Sequence, residues 1–171
     1  MFETLISKLQ EDKYLTLETT PQHEPSMHNI VEKIKKFKID SKVDGFTCTD
    51  NPLAKLKYNS LFAALKLQQE FKKPVIATMT MRDRNKIALQ SDLLGANDFD
   101  IRAILALTGD PANMSDQPNS KGVFEANSLM LLKMIKSFNY GMDFAGRPFK
   151  IEPKQIFPFA VVNAYAKNFG S

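Results

Sequence analysis

The sequence predicts a parallel α/β domain, and three observations carry that reading. From Tyr14 onward in this 171-residue chain, short apolar runs alternate with stretches of helical periodicity, the pattern of right-handed βαβ crossovers. The run Ile101, Ala103, Ile104, Leu105, Ala106 and Leu107 is apolar but for the intervening Arg102, as in a strand buried on both faces, and it stops on Thr108-Gly109-Asp110-Pro111. Each predicted strand also ends on polar residues: Glu18, Thr49, Thr80, Thr108 with Asp110, and Asn163. In parallel α/β proteins ligands bind at the C-terminal ends of the strands, so these residues would line one rim if the sheet curls into a barrel. On its own segment, Asp110 fits a functional carboxylate and a residue that merely shapes the turn equally well.

The elements follow in order. Tyr14–Glu18 reads as the first strand, ended by Thr19-Thr20-Pro21. A helix follows Ser26, a suitable N-cap, with Met27, Ile30, Val31, Ile34 and Phe37 on one face. The second strand, Gly45–Thr49, is stopped by Asp50-Asn51-Pro52, and Ser60–Phe71 forms a helix burying Leu61, Phe62, Leu65 and Leu67. The third strand is Pro74–Thr80, and its helix spans Lys86–Leu94 with Gly95 as C-cap. After the fourth strand a polar loop, Ala112–Val123, leads to a helix from Asn127 or Ser128, with Leu129, Leu132, Met134 and Ile135 on its apolar face. Ile156–Val162 is the fifth strand, although Pro158 interrupts it.

Composition narrows the function classes. With 43% hydrophobic and 25% charged residues the chain is an ordinary globular domain, and its length fits one domain spanning 1–171. The formal charge of +4 is spread along the chain. Its densest basic run, Lys33, Lys35, Lys36 and Lys38, lies on a predicted helix without an aromatic stacking platform. That favours a solvated helix face over a nucleic-acid patch. Cys48 is the single cysteine, so no internal disulfide is expected, and a buried structural thiol fits better than a nucleophile. His23 and His28 are too few for a metal site, and no metal is expected. Nothing resembles a signal core or a membrane span, which makes the cytoplasm the default and leaves no membrane partner.

Four segments, in order and at their intervals, resemble a known family. They are Leu17-Glu18-Thr19-Thr20-Pro21, Thr47-Cys48-Thr49-Asp50-Asn51-Pro52, Thr80-Met81-Arg82-Asp83-Arg84-Asn85 and Ala106-Leu107-Thr108-Gly109-Asp110-Pro111. Gln90-Ser91-Asp92-Leu93-Leu94-Gly95, Gly122-Val123-Phe124 and Val161-Val162-Asn163-Ala164 add to them. Together they resemble the methylenetetrahydrofolate reductases, flavoproteins on a (β/α)₈ TIM-type barrel, from about residue 14 to the C terminus. A complete barrel takes about 250 residues. The expected fold is therefore an incomplete barrel of about five βα units, the N-terminal part of a flavin-dependent reductase domain.

The resemblance implies reduction of 5,10-methylenetetrahydrofolate to 5-methyltetrahydrofolate by hydride transfer through FAD, with NADH, NADPH or another electron donor reducing the flavin. Glu18 matches the family's general acid, which protonates the leaving nitrogen of the imidazolidine ring. That role calls for a carboxyl of raised pKa, favoured by an apolar surrounding such as Leu15, Leu17 and the flavin face. Asp110 matches a catalytic aspartate at the flavin edge, which discourages charge build-up on the reduced flavin and helps either to position the pterin or to stabilise the cationic iminium. Leu107, Thr108 and Gly109 match the backbone run against the isoalloxazine, and Thr49 a flavin-contacting threonine. Thr78 stands where certain members have histidine, Thr108 where some have arginine, and Asn163 aligns with a further cofactor contact.

Arg82 and Arg84 suit either a pyrophosphate or folate carboxylate, or ion pairs with Asp83 or Asp92. No Gly-x-Gly-x-x-Gly fingerprint is present, so FAD would not be held in the Rossmann manner. Exposed strand edges would leave room for a homo-oligomer. Two other readings stay open at this stage: an inactive half-barrel that serves as a binding or interaction module, and an unrelated parallel α/β enzyme.

Overall fold

The computed structural model describes residues 1–11 and 13–162. Five strands, β1 (Thr16–Thr19), β2 (Gly45–Cys48), β3 (Val75–Thr80), β4 (Ala103–Leu107) and β5 (Phe157–Phe159), form one sheet. Their order is β1-β2-β3-β4-β5, and every neighbouring pair is parallel. Helices α2 (His28–Lys36), α3 (Ser60–Phe71), α4 (Lys86–Asp98) and α5 (Ser128–Asn139) lie between successive strands. A sheet that adds each new strand beside the last through a helical crossover is the pattern of a (β/α) barrel, here with five of its strands. Helix α1 (Phe2–Glu11) precedes the first strand and has no counterpart in the sequence expectation.

Side chains alternate across each strand, and the two faces meet different partners. Phe46, Cys48, Val75, Ala77, Met79, Ile104 and Ala106 point outward into the main core, where Val31, Ile34, Leu67, Leu89, Leu93 and Leu131 meet them from the helices. On the inner face, Ile76 and Ala103 pack against Phe2 and Leu5 of α1, with Tyr14, Leu105, Phe157 and Phe159 around them. Phe2 and Phe157 stack with centroids 6.0 Å apart, and the Arg102 guanidinium sits 4.6 Å from the Phe2 ring. Burying Phe2 and Leu5 contributes about 1.5–3 kcal/mol each. Helix α1 therefore covers the N-terminal end of the inner face, while the polar C-terminal end stays open.

Local signals explain most boundaries. Asn59, Asn85 and Asn127 cap α3, α4 and α5, each accepting from backbone N–H groups of the first turn. Ser26 is not the α2 cap; that position is Met27, which buries its side chain, while the Ser26 hydroxyl accepts from His28 N at 3.1 Å. Helix α4 runs past Gly95 to Asp98, because Leu93, Ala96 and Asn97 continue its buried side. Phe37, Phe62 and Leu129, expected on buried faces, are mostly exposed. Strand β5 shrinks to three residues around Pro158, which lacks a ladder donor. Cys48 is the buried structural thiol expected; burial pushes it up to about 12, against a weaker opposing contact with Thr19 Oγ1 at 3.4 Å. Among the described residues no helix is long and apolar enough to cross a membrane.

Asp44 ties α1 to the sheet. Its carboxylate accepts from Lys8 Nζ and from Leu15 N at 2.9 Å, and these bonds hold its pKa below the usual value. A depressed carboxyl stabilises the fold above the unfolded value of about 3.9 and loses that contribution as pH falls through the lower folded value. Urea stability is accordingly expected to fall between pH 5 and 3, and to fall less steeply in Asp44→Asn; equal slopes would show that Asp44 carries none of it.

Candidate functional site

The open end of the inner face is a cavity of about 420 Å³ at the C-terminal ends of β1–β4. It gathers Glu18, Thr49, Thr78, Leu107, Thr108, Gly109 and Asp110, every site residue expected from the sequence except Asn163, which lies outside the described residues. Asp50, Pro52, Thr80, Arg82, Leu105 and Val161 complete the lining. The strand register explains the convergence. Glu18 sits beside Thr47, Thr78 beside Leu105, and Thr80 beside Leu107, so their side chains share the inner face. The volume lies within the about 300–1,000 Å³ common for small-molecule sites.

Glu18 is exposed at the rim and makes no ion pair among the described residues. Leu17 packs on the helix side and Leu15 is 58% exposed, so the apolar part of the cavity comes from Leu105, Leu107 and Val161 instead. Thr49 presents a buried hydroxyl oxygen with no hydrogen-bond partner. An unpaired buried hydroxyl costs about 1–3 kcal/mol, so a ligand atom there would find a waiting partner. Thr78 is buried in β3. The Thr108 hydroxyl accepts from Ser128 N at 3.1 Å and so helps to start α5.

Asp110 reaches across to the turn after β2. Its Oδ2 accepts from Leu53 N at 2.6 Å. That turn is strained: Asn51, Leu53 and Ala54 all have positive φ, at 43°, 55° and 56°. Three contacts hold it: Asp110 on Leu53 N, Arg82 Nη2 on the Asn51 carbonyl at 3.0 Å, and Asn51 Oδ1 accepting from Lys57 N at 2.8 Å. Strain of this kind costs about 1–3 kcal/mol per residue and persists only where the surroundings over-determine it. Asp110 does shape a turn, but a neighbouring one, and it does so from the wall of the cavity.

Gly109 has φ +99°, and a Cβ there would lie 2.9 Å from Arg82 Cβ and 3.2 Å from Thr80 Cβ. Both terms oppose any side chain. Gly109→Ala is expected to lose about 1–3 kcal/mol in urea unfolding; an unchanged midpoint would mean that the turn relaxes freely.

The arginines are engaged in ion pairs. Arg84 Nη1 donates to Asp50 Oδ2 at 2.7 Å and Arg84 Nε to Asp92 Oδ2 at 2.9 Å. Burial works against the Arg84 charge, yet Asp50 and then Asp92 raise its pKa above the usual guanidinium value. For Asp92, burial wins over Arg84 and its pKa is raised. Asp50 Oδ2 also accepts from Thr80 N at 3.0 Å and from Thr80 Oγ1 at 3.1 Å, closing a buried network across β2, β3 and α4. Arg82, only 2% exposed, is clamped by Asp83 through Nε at 2.8 Å and Nη2 at 2.6 Å. Sequence reasoning assigned Asp50 only to stopping a strand; the signal for more was a carboxylate at a strand end with Arg-Asp-Arg at the next.

A parallel βα sheet with its cavity on the C-terminal rim defines a barrel-type α/β protein. Residues 3–151 match the family model described as methylenetetrahydrofolate reductase, and the chain belongs to that family. Membership suggests oxidoreductase chemistry on a folate, in a TIM-barrel family that is generally flavin-dependent. Comparison with curated proteins gave no match.

Proposed function

We propose that the rim cavity is the flavin and folate site of a methylenetetrahydrofolate reductase domain, converting 5,10-methylenetetrahydrofolate to 5-methyltetrahydrofolate with FAD and a nicotinamide or other electron donor. The observation that carries this reading is the convergence of Glu18, Thr49, Asp110 and the Leu107–Gly109 backbone on one cavity in a chain of this family. The lining fits a flavin ring: Leu105, Leu107 and Val161 offer an apolar wall, and the orphaned Thr49 hydroxyl can donate to a ring carbonyl or accept from a ring N–H. Bound FAD would supply the hydride.

The chain's own residues would manage the proton and the charge. The substrate's five-membered ring must open before its one-carbon unit can take a hydride, and opening needs a proton on the leaving nitrogen. Glu18, free of ion pairs among the described residues and facing the cavity, is placed to give that proton. Opening leaves a cationic iminium. Asp110, whose Oδ2 is pinned by Leu53 N, offers a fixed negative charge to stabilise it. Hydride addition then discharges the cation and leaves the methyl product.

The test is the flavin absorption spectrum and binding isotherm of the purified chain titrated with FAD, followed by the same titration of Thr49→Val. Saturable binding that weakens in the variant supports the reading; a chain that binds no FAD overturns it.

A further inference from the structure

Behind the strained turn lies a second pocket, of about 180 Å³, that shares Arg82 with the rim cavity. Its polar lining includes Asn51, Arg82, Ser115, Gln117, Ser120 and Lys121. Three of the Arg82 donor bonds are accounted for by Asp83 and the Asn51 carbonyl. Nη1 is buried and has no partner. Orphaned donors on a buried cation are rare, because their desolvation is uncompensated, and each calls for an explanation. The guanidinium keeps its charge: its bonds to Asp83 raise its pKa above the usual value. Lys121, on the opposite loop, is exposed and makes no ion pair among the described residues.

Two cations with open donors, two serine hydroxyls and two side-chain amides in a small pocket are the complement of an oxyanion. Asp83 also lines it, but both of its oxygens are taken by Arg82. We propose that this pocket is an oxyanion subsite, in which Arg82 Nη1 and Lys121 Nζ bind a carboxylate or phosphoryl group of the molecule seated in the rim cavity. The inference rests on the flavin and folate reading of that cavity. The oxyanion has two sources: the diphosphate of FAD and the glutamyl carboxylates of the folate. Sharing Arg82 between the pockets would let one residue sense both the ring and the charged tail of a ligand.

The experiment compares ligand pairs that differ in the anion, FAD with riboflavin and folic acid with pteroic acid, on the wild-type chain, Lys121→Ala and Arg82→Gln. A charge-assisted contact is worth about 10–100-fold in affinity. Lys121→Ala is therefore expected to lose about tenfold or more for the anionic member of one pair, with its uncharged or less charged partner within about twofold. The pair that responds names the source. Arg82→Gln strands Asp83 and tests the second contact only if it folds; Lys121 is exposed, so its variant decides the matter alone.

Inorganic phosphate and glutarate, titrated while the Ser120 and Lys121 amide resonances are followed, separate this inference from the reading beneath it. Saturable shifts that vanish in Lys121→Ala, in a chain that binds none of the four ring compounds, would keep the anion pocket and overturn the flavin reading. Ring binding with no preference that Lys121→Ala abolishes would do the reverse. If neither the small anions nor the ring compounds bind, both fall.

Discussion

Under the proposed reading, replacing Glu18 by glutamine is expected to slow the folate half-reaction by about 10²–10⁴-fold, the range for removal of a positioned general acid. FAD binding and reduction of the flavin by its donor should be nearly unchanged. The split follows from where the proton is needed: only the folate ring carries a leaving nitrogen. Glu18 is exposed and forms no ion pair among the described residues, so the variant should keep its stability within about 0.5 kcal/mol. A loss of rate then cannot be attributed to unfolding. Anaerobic rapid mixing, with flavin reduction and reoxidation followed separately, provides the measurement. Equal rates of reoxidation in both proteins would remove Glu18 from the proton transfer.

The sheet was legible in the sequence because parallel strands buried on both faces leave near-continuous apolar runs, and Ile101–Leu107 is one. The rim was legible for a related reason: polar residues that end strands in a parallel sheet must fall on one side of it. Helix α1 was not, since only Phe2 and Leu5 bury fully and their partners, Ile76 and Ala103, lie far along the chain. Its reason to exist is tertiary: it fills the end of the inner face that the strands leave apolar.

At the site, the strand-end residues converge, but their hydrogen bonds were hidden. On its own segment Asp110 reads equally as a turn former and as a functional carboxylate, and neither reading names its partner, Leu53, 57 residues away. Gly109 likewise owes its identity to a positive φ and to Arg82 and Thr80 at its back. Such pairings depend on how loops from different strands meet, and no local period in a sequence encodes them.

The largest effect on stability is expected at Asp50. Its side chain is 1% exposed and faces three groups at once: the Arg84 guanidinium, Thr80 N and Thr80 Oγ1. Asp50→Ala strands the two Thr80 donors and takes from Arg84 the more deeply buried of its two carboxylates, leaving Asp92. Removing one member of a buried pair costs about 3–5 kcal/mol where the charge left behind is uncompensated. Asp92 compensates Arg84 in part, and the two stranded Thr80 donors add to the loss, so about 2–4 kcal/mol is expected. Asp50→Asn keeps an acceptor for Thr80 and should lose less, about 1–3 kcal/mol. The double variant Asp50→Leu, Arg84→Met removes the pair but takes from Asp92 its Arg84 partner and leaves the two Thr80 donors unmatched, so it should recover little of the loss. Urea unfolding of the four proteins tests the series, and a loss below about 1 kcal/mol in Asp50→Ala would refute it. The consequence reaches the cavity. Asp50 follows Thr49 directly and anchors the end of β2 to the end of β3. Without it, the Thr49 hydroxyl loses its fixed position in the cavity wall, so under the proposed flavin reading FAD affinity should fall together with stability even though Asp50 need not touch the ring.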